Sequence, residues 1–208
     1  MKLYYSAGSC STSCHITLEE SGLKYEAIKV DFDNASDPNV ALVAKLNGLG
    51  TLPILITDDG KQLDQNAAIH TYVADLSASK NLLPAAGTFE RAEALNWLSF
   101  VSTDLHKGIG ALFGVSYASE DKTVQEAMRK YLLTNANSYL KYMDEKLAGR
   151  EFLNGKSFSV ADAYAFVVTG WTKWLEIPLT PYKNIESYMT RVAARPAVAK
   201  VLKAEGLT

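Results

Sequence analysis

At 208 residues, with 48% hydrophobic and 21% charged residues, the chain has the balance of an ordinary globular protein of one large or two small domains, with enough apolar surface for a core that needs no disulfide staples. A formal net charge of −2 excludes the basic footprint of a nucleic-acid binder. No run approaches the roughly 18 consecutive apolar residues of a membrane span, and Met1-Lys2-Leu3-Tyr4-Tyr5 lacks the features of a secretory leader, so a cytoplasmic chain with reduced thiols at Cys10 and Cys14 is expected. Residues 1–78 hold 5 Lys+Arg against 10 Asp+Glu, and the remainder 16 against 13, so the two segments differ in kind.

Leu3-Tyr4-Tyr5 is a short β-prone run. Cys10 to Leu23 follows as a helix ended by Ser21-Gly22, and Tyr25 to Phe32 begins a second strand with partial alternation. Such a βαβ unit carries parallel strands. After an irregular stretch from Asn34 to Leu49, Leu52–Thr57 and Lys61–Asp64 form a hairpin about Asp58-Asp59-Gly60. A helix from Gln65 to about Leu76 closes the segment, with Ala68, Ile69, Tyr72 and Val73 spaced for one buried face. The Pro/Gly stretch Leu82 to Gly87 marks a boundary, beyond which strand signals stop. Arg91–Leu112 and Val124–Leu147 read as two long amphipathic helices. Ser159-Val160-Ala161-Asp162 caps a third whose body, Ala163 to Val168, is apolar nearly all round and belongs at the centre of an all-helical domain.

The chemistry centres on Cys10. Gly8-Ser9-Cys10-Ser11 lies where a strand hands over to a helix, and unpaired N–H groups and the macrodipole there favour an anionic sulfur. The competing reading is a buried, inert cysteine, which is the favoured one for Cys14. Pro53 is either a plain strand boundary or a cis residue that turns the Leu52 backbone outward to pair with an extended ligand. Gln65-Asn66 begins a helix directly after a strand, where amides can hold a carboxylate or where Asn66 or Asp64 simply caps. His106, on the polar edge of a leucine stripe, becomes an acid/base partner only if it meets Cys10. His15 and His70 carry no such case, and His70 is expected to be solvated. No glycine-rich phosphate loop and no HExxH pair is present, so neither a cofactor nor a metal site is expected.

The marks Gly8-Ser9-Cys10-Ser11, Leu105-His106-Lys107-Gly108 and Phe158-Ser159-Val160-Ala161-Asp162-Ala163-Tyr164, in this order across nearly the whole chain, resemble the cytosolic glutathione transferases of the bacterial beta class. That resemblance implies an α/β thioredoxin-like domain (βαβ-α-ββα) over residues 1–80, followed by an all-α helical bundle over 88–208. It further implies a homodimer that binds glutathione as co-substrate and a hydrophobic electrophile. Cys10 would contact the glutathione sulfur and His106 would lie beside it. Leu52, before cis Pro53, would pair with the cysteinyl backbone, Gln65 and Asn66 would hold the γ-glutamyl end, and Ser99, Thr103, Asp104 and Lys107 would line the same site. Phe113, Tyr117, Tyr164 and Trp171 are candidates for the electrophile pocket. Conjugation and thiol–disulfide exchange through Cys10 are both implied, with a non-catalytic binding or regulatory protein, or a glutathione-dependent dehalogenase or peroxidase, as alternatives on the same fold. The chain departs from the beta pattern at Ala35 for lysine, at Gln65-Asn66 for Glu followed by Gly or Ser, and at Ser99 for asparagine.

Overall fold

Alternation along β1 (Lys2–Tyr5) decides how the first unit is layered. The computed structural model describes residues 1–34 and 36–208, divided into Met1–Ala86 with Ala193–Thr208 as one unit and Gly87–Val192 as the other. In the first, β1 is followed by α1 (Ser11–Ser21), β2 (Glu26–Lys29), α2 (Pro38–Asn47), β3 (Ile54–Ile56), β4 (Gln62–Asp64) and α3 (Asn66–Leu76). The sheet runs β2-β1-β3-β4, with β1 parallel to β2 and antiparallel to β3, and β3 antiparallel to β4. Leu3 and Tyr5 point to one face and pack with Cys14 and Leu18 of α1 and Ile69 and Val73 of α3. Tyr4 points to the other, against Val43 of α2. The mixed sheet between helices is the arrangement read from the sequence.

Two local readings need correction. The stretch read as irregular contains α2, which has clear end signals: Asn39 N–H donates to the Asp37 carboxylate at 2.9 Å, Pro38 opens the first turn, and Gly48 terminates it at φ 67°. Val43 is its one buried residue, so no apolar stripe advertises it. On α3 the buried face is Asn66, Ile69, His70, Val73 and Ala74, rotated from the expected one, and Ala68 is exposed.

The second unit is helical: α4 (Phe89–Phe100), α5 (His106–Gly110), α6 (Val115–Ala118), α7 (Lys122–Leu147), α8 (Val160–Gly170) and α9 (Lys183–Ala193, its last residue assigned to the first unit). The single helix expected over Arg91–Leu112 is interrupted by a π-helical stretch, Val101–Leu105, which sets off α5 and its histidine. All residues of α8 from Val160 to Thr169 are buried. Asp162 of α8 accepts from the Leu153 and Ser159 N–H groups, each at 2.8 Å, and from the Ser159 hydroxyl at 2.8 Å. Burial raises its carboxyl to about 6.

The last helix, α10 (Pro196–Glu205), packs on α1 and so belongs to the first unit, whereas its place in the chain put it with the helical domain. Arg195 forms a two-pronged pair with Glu20 at 2.6 and 2.9 Å, and Lys200 meets Glu19 at 2.6 Å. These pairs join positions 175 and 181 residues apart, a separation no local pattern encodes. Among the described residues no helix is long and apolar enough to cross a membrane.

Candidate functional site

Three serines tie the turn that presents Cys10. Ser9 N–H donates to Ser6 carbonyl at 3.1 Å, Ser6 N–H donates to Ser11 Oγ at 3.0 Å, and the Ser9 and Ser11 hydroxyls meet at 2.6 Å. Gly8 sits at φ 75°, a left-handed value that suits glycine. Cys10 therefore stands at the N-cap of α1, partly exposed, where the first-turn amides and the helix dipole converge. Its Sγ lies 3.6 Å from the Leu52 carbonyl oxygen, and the Leu52–Pro53 peptide is cis. Ser6, Ser9, Cys10, Phe32, Gly50, Thr51 and Leu52 line a cleft of about 400 Å³, within the range of small-molecule sites. Cys10, Leu52 and Pro53 are thus brought together in the first unit.

Gln65 is exposed and holds φ 86° as a non-glycine residue at the N-terminus of α3, a conformation that surrounding structure must maintain. Asn66 differs from expectation. Its side chain is turned into α1, with Oδ1 accepting from Ser13 Oγ at 3.1 Å and from the Cys14 thiol at 3.2 Å. His70 is not solvated but fully buried, because it shares the Asn66–Ile69–Val73 face. Its ring is satisfied by Ser13 Oγ at 3.0 Å and Thr17 Oγ1 at 2.8 Å, and burial lowers its pKa to about 3. Cys14 is buried with its thiol pushed well up, chiefly by desolvation, consistent with an inert residue. Ala35, where the beta pattern has lysine, lies outside the described residues.

The remaining expected residues belong to the second unit. His106 Nδ1 hydrogen-bonds the Tyr164 hydroxyl, and its ring stands edge-on to Trp171 at 4.9 Å. Burial, helped by the neighbouring Lys107 charge, lowers its pKa to about 4, so the imidazole is neutral at neutral pH. Gly110 leaves room for this stack, since a Cβ there would already touch both His106 and Trp171 at 3.4 Å. Gly108 is tighter: a Cβ would fall 2.6 Å from the Tyr139 ring. Phe113 stands edge-on to Trp171 at 5.9 Å, while Tyr117 is almost fully exposed and takes no part in this cluster. Thr103 Oγ1 donates toward the Ser99 carbonyl at 2.9 Å and contacts the Asp104 carboxylate at 2.7 Å; Ser99, Thr103 and Lys107 are exposed.

Residue-by-residue reading missed two buried networks: Ser13, Asn66, His70 and Thr17, and Glu205 with Gly8, Thr12 and His15. The hydroxyl run Ser11-Thr12-Ser13 in a helix that must be buried was the available signal for the first. Nothing local announces the second.

Residues 7–76 match the glutathione S-transferase N-terminal domain family, and residues 103–205 match the glutathione S-transferase C-terminal domain family. The chain is 35% identical over 208 residues to glutathione S-transferase GstA of Escherichia coli O157:H7, covering all of both proteins. Among solved structures, the ternary complex of BphK, a bacterial glutathione S-transferase, is 38% identical with a TM-score of 0.90, covering all of both chains. A sphingomonad glutathione S-transferase complexed with glutathione is 36% identical with a TM-score of 0.88, and a beta-class enzyme of Sphingomonas chungbukensis is 36% identical with a TM-score of 0.89; each match covers both chains in full.

Proposed function

The chain belongs to the glutathione S-transferase family, and from that premise we propose a cytoplasmic, homodimeric enzyme of the beta type that uses Cys10 against glutathione-linked substrates. The observation that carries this reading is the partly exposed Cys10 at the N-terminus of α1, its sulfur 3.6 Å from the Leu52 carbonyl and open to the cleft beside it. An extended thiol peptide laid along Leu52 would bring its own sulfur to Cys10. Gln65 and the amides at the start of α3 would receive its γ-glutamyl carboxylate. The Asn66 side chain is already engaged with α1, so the main chain at Asn66 rather than its carboxamide serves that end.

Two reactions suit such a site. In conjugation, the glutathione thiolate attacks an electrophilic carbon, a C–S bond forms, the leaving group departs with its electron pair, and the thiol proton passes to solvent. In exchange, the Cys10 thiolate attacks the glutathionyl sulfur of a mixed disulfide and expels the other thiolate. A second glutathione thiolate then displaces Cys10, giving glutathione disulfide and restoring the enzyme thiolate. Within the second unit His106 is neutral because its pKa lies near 4, which suits a hydrogen-bonding group rather than a base at neutral pH. Within the second unit, Phe113 and Trp171 form an aromatic cluster with His106 and Tyr164.

Calorimetric titration of glutathione into the wild type and Cys10→Ala, alongside turnover of an aryl chloride and of a glutathione mixed disulfide, tests the reading. Expected are millimolar or tighter binding to the wild type and at least a hundredfold loss of disulfide turnover in Cys10→Ala. Absence of binding at millimolar glutathione would sink it. Disulfide turnover unchanged in Cys10→Ala would remove the thiol's role.

A further inference from the structure

We propose that Glu205, at the far end of the chain, is a positioning residue for Cys10. The Glu205 side chain is completely buried on α10. Its Oε2 accepts from the Thr12 hydroxyl at 2.7 Å and from the Gly8 N–H at 3.2 Å. Its Oε1 lies 2.8 Å from His15 Nδ1, which must be the donor because a carboxylate only accepts. Gly8 precedes Cys10 by two residues and Thr12 follows it by two. One carboxylate therefore grips the backbone before the cysteine and the first helical turn after it, without touching the sulfur.

The division of labour is visible in the hydrogen bonds. Ser6, Ser9 and Ser11 bond among themselves and give the turn its own shape. Glu205 is what fastens that turn to α10, a helix also held to α1 by the pairs with Glu19 and Glu20. Without the carboxylate, the Gly8 N–H, the Thr12 hydroxyl and the His15 ring lose their shared acceptor in a buried setting. The turn then relaxes toward other partners, because unsatisfied buried donors are costly. The direction in which Cys10 meets Leu52 and the cleft changes with it. The proposal rests on the reading of Cys10 as the reactive thiol.

The test compares wild type, Glu205→Ala and Glu205→Gln. Glutamine keeps an acceptor for Gly8 and Thr12, and its amide can donate to the other tautomer of His15. The first readout needs no glutathione: the rate of Cys10 alkylation by iodoacetamide, followed by mass spectrometry. The second is the split between kcat and KM for glutathione in disulfide turnover. Glu205→Ala is expected to lower both the alkylation rate and kcat about tenfold, with KM within about twofold, and Glu205→Gln to restore both rates to within about threefold of wild type. A Glu205→Ala protein that melts earlier but keeps its alkylation rate and kcat would overturn the proposal, reducing Glu205 to a stabilising contact. Glu205→Gln as slow as Glu205→Ala would overturn it too, because charge rather than the hydrogen bonds would then be at work. Should Glu205→Ala not fold, Thr12→Val removes one donor alone and is expected to slow both rates about threefold; unchanged rates would overturn the proposal. Failure of the underlying reading shows separately, as disulfide turnover that survives Cys10→Ala.

Discussion

Helices α1 and α8 are equally buried and differently made. Nine of the eleven residues of α1 are buried, six of them serine, threonine or histidine. Ten of the eleven residues of α8 are buried, and apolar ones dominate. The interior of α8 is stabilised by removing hydrocarbon from water, with Asp162 as its main polar anchor. The interior of α1 depends on partners for its hydroxyls and its imidazole, supplied by Asn66, His70 and Glu205. The helix that carries Cys10 at its N-cap is thus held by directional bonds, which fix orientation more narrowly than apolar packing does.

The contrast can be broken most forcefully at the one carboxylate of α8. Asp162→Ala strands two buried backbone N–H groups and is expected to cost about 4 kcal/mol in urea unfolding, with Asp162→Asn recovering about half of it. Acid sharpens the contrast next, because the two helices should answer it with opposite signs. The folded-state pKa of His70 is depressed from 6.5 to about 3, so its contribution is present above pH 6.5 and lost as pH falls below that. Between pH 7 and pH 4 this amounts to about 3 kcal/mol. Asp162 is raised from 3.8 to about 6, so its contribution is lost as pH rises through 6 and returns on acidification. Amide exchange read by mass spectrometry from pH 7 to 4 should therefore show protection of α1 falling more steeply than that of α8. In His70→Gln the slope for α1 should flatten; an unchanged slope would show that another group carries it. A single hydroxyl comes next: Thr17→Val removes the partner of His70 Nδ1 and should cost about 1 to 2 kcal/mol by urea unfolding. Smallest is the partly exposed pair at the start of α10, where Arg195→Ala should cost about 1 kcal/mol or less, an effect that added salt shrinks in the wild type.

The same contrast explains what could be read from the residues. The apolar run after Ser159 and the box closed by Asp162 are local and strong, so α8 and its place at the centre of the helical unit were legible. The β-prone run Leu3-Tyr4-Tyr5 and the Asp58-Asp59-Gly60 turn did the same for the sheet, and a Gly-Ser-Cys-Ser turn after a strand singled out Cys10. Besides α2 and the inward turn of Asn66, three things escaped. The π-helical stretch before His106 leaves no periodic trace, since the leucine stripe runs on through it. The burial of His70 follows from its register on α3, where a rotation of one position exchanges Ala68 for a histidine. The docking of α10 depends on charges and a carboxylate that meet residues more than 170 positions away.

That last attachment also sets an order of events in synthesis. Cys10 leaves the ribosome well before Glu205 does. At roughly 5 to 20 residues per second, some tens of seconds separate the two at the slower rate and about ten at the faster. During that interval the nascent first unit has its strands, its turn and its thiol, but not the helix that fastens them. The Cys10 thiol is made early and seated late.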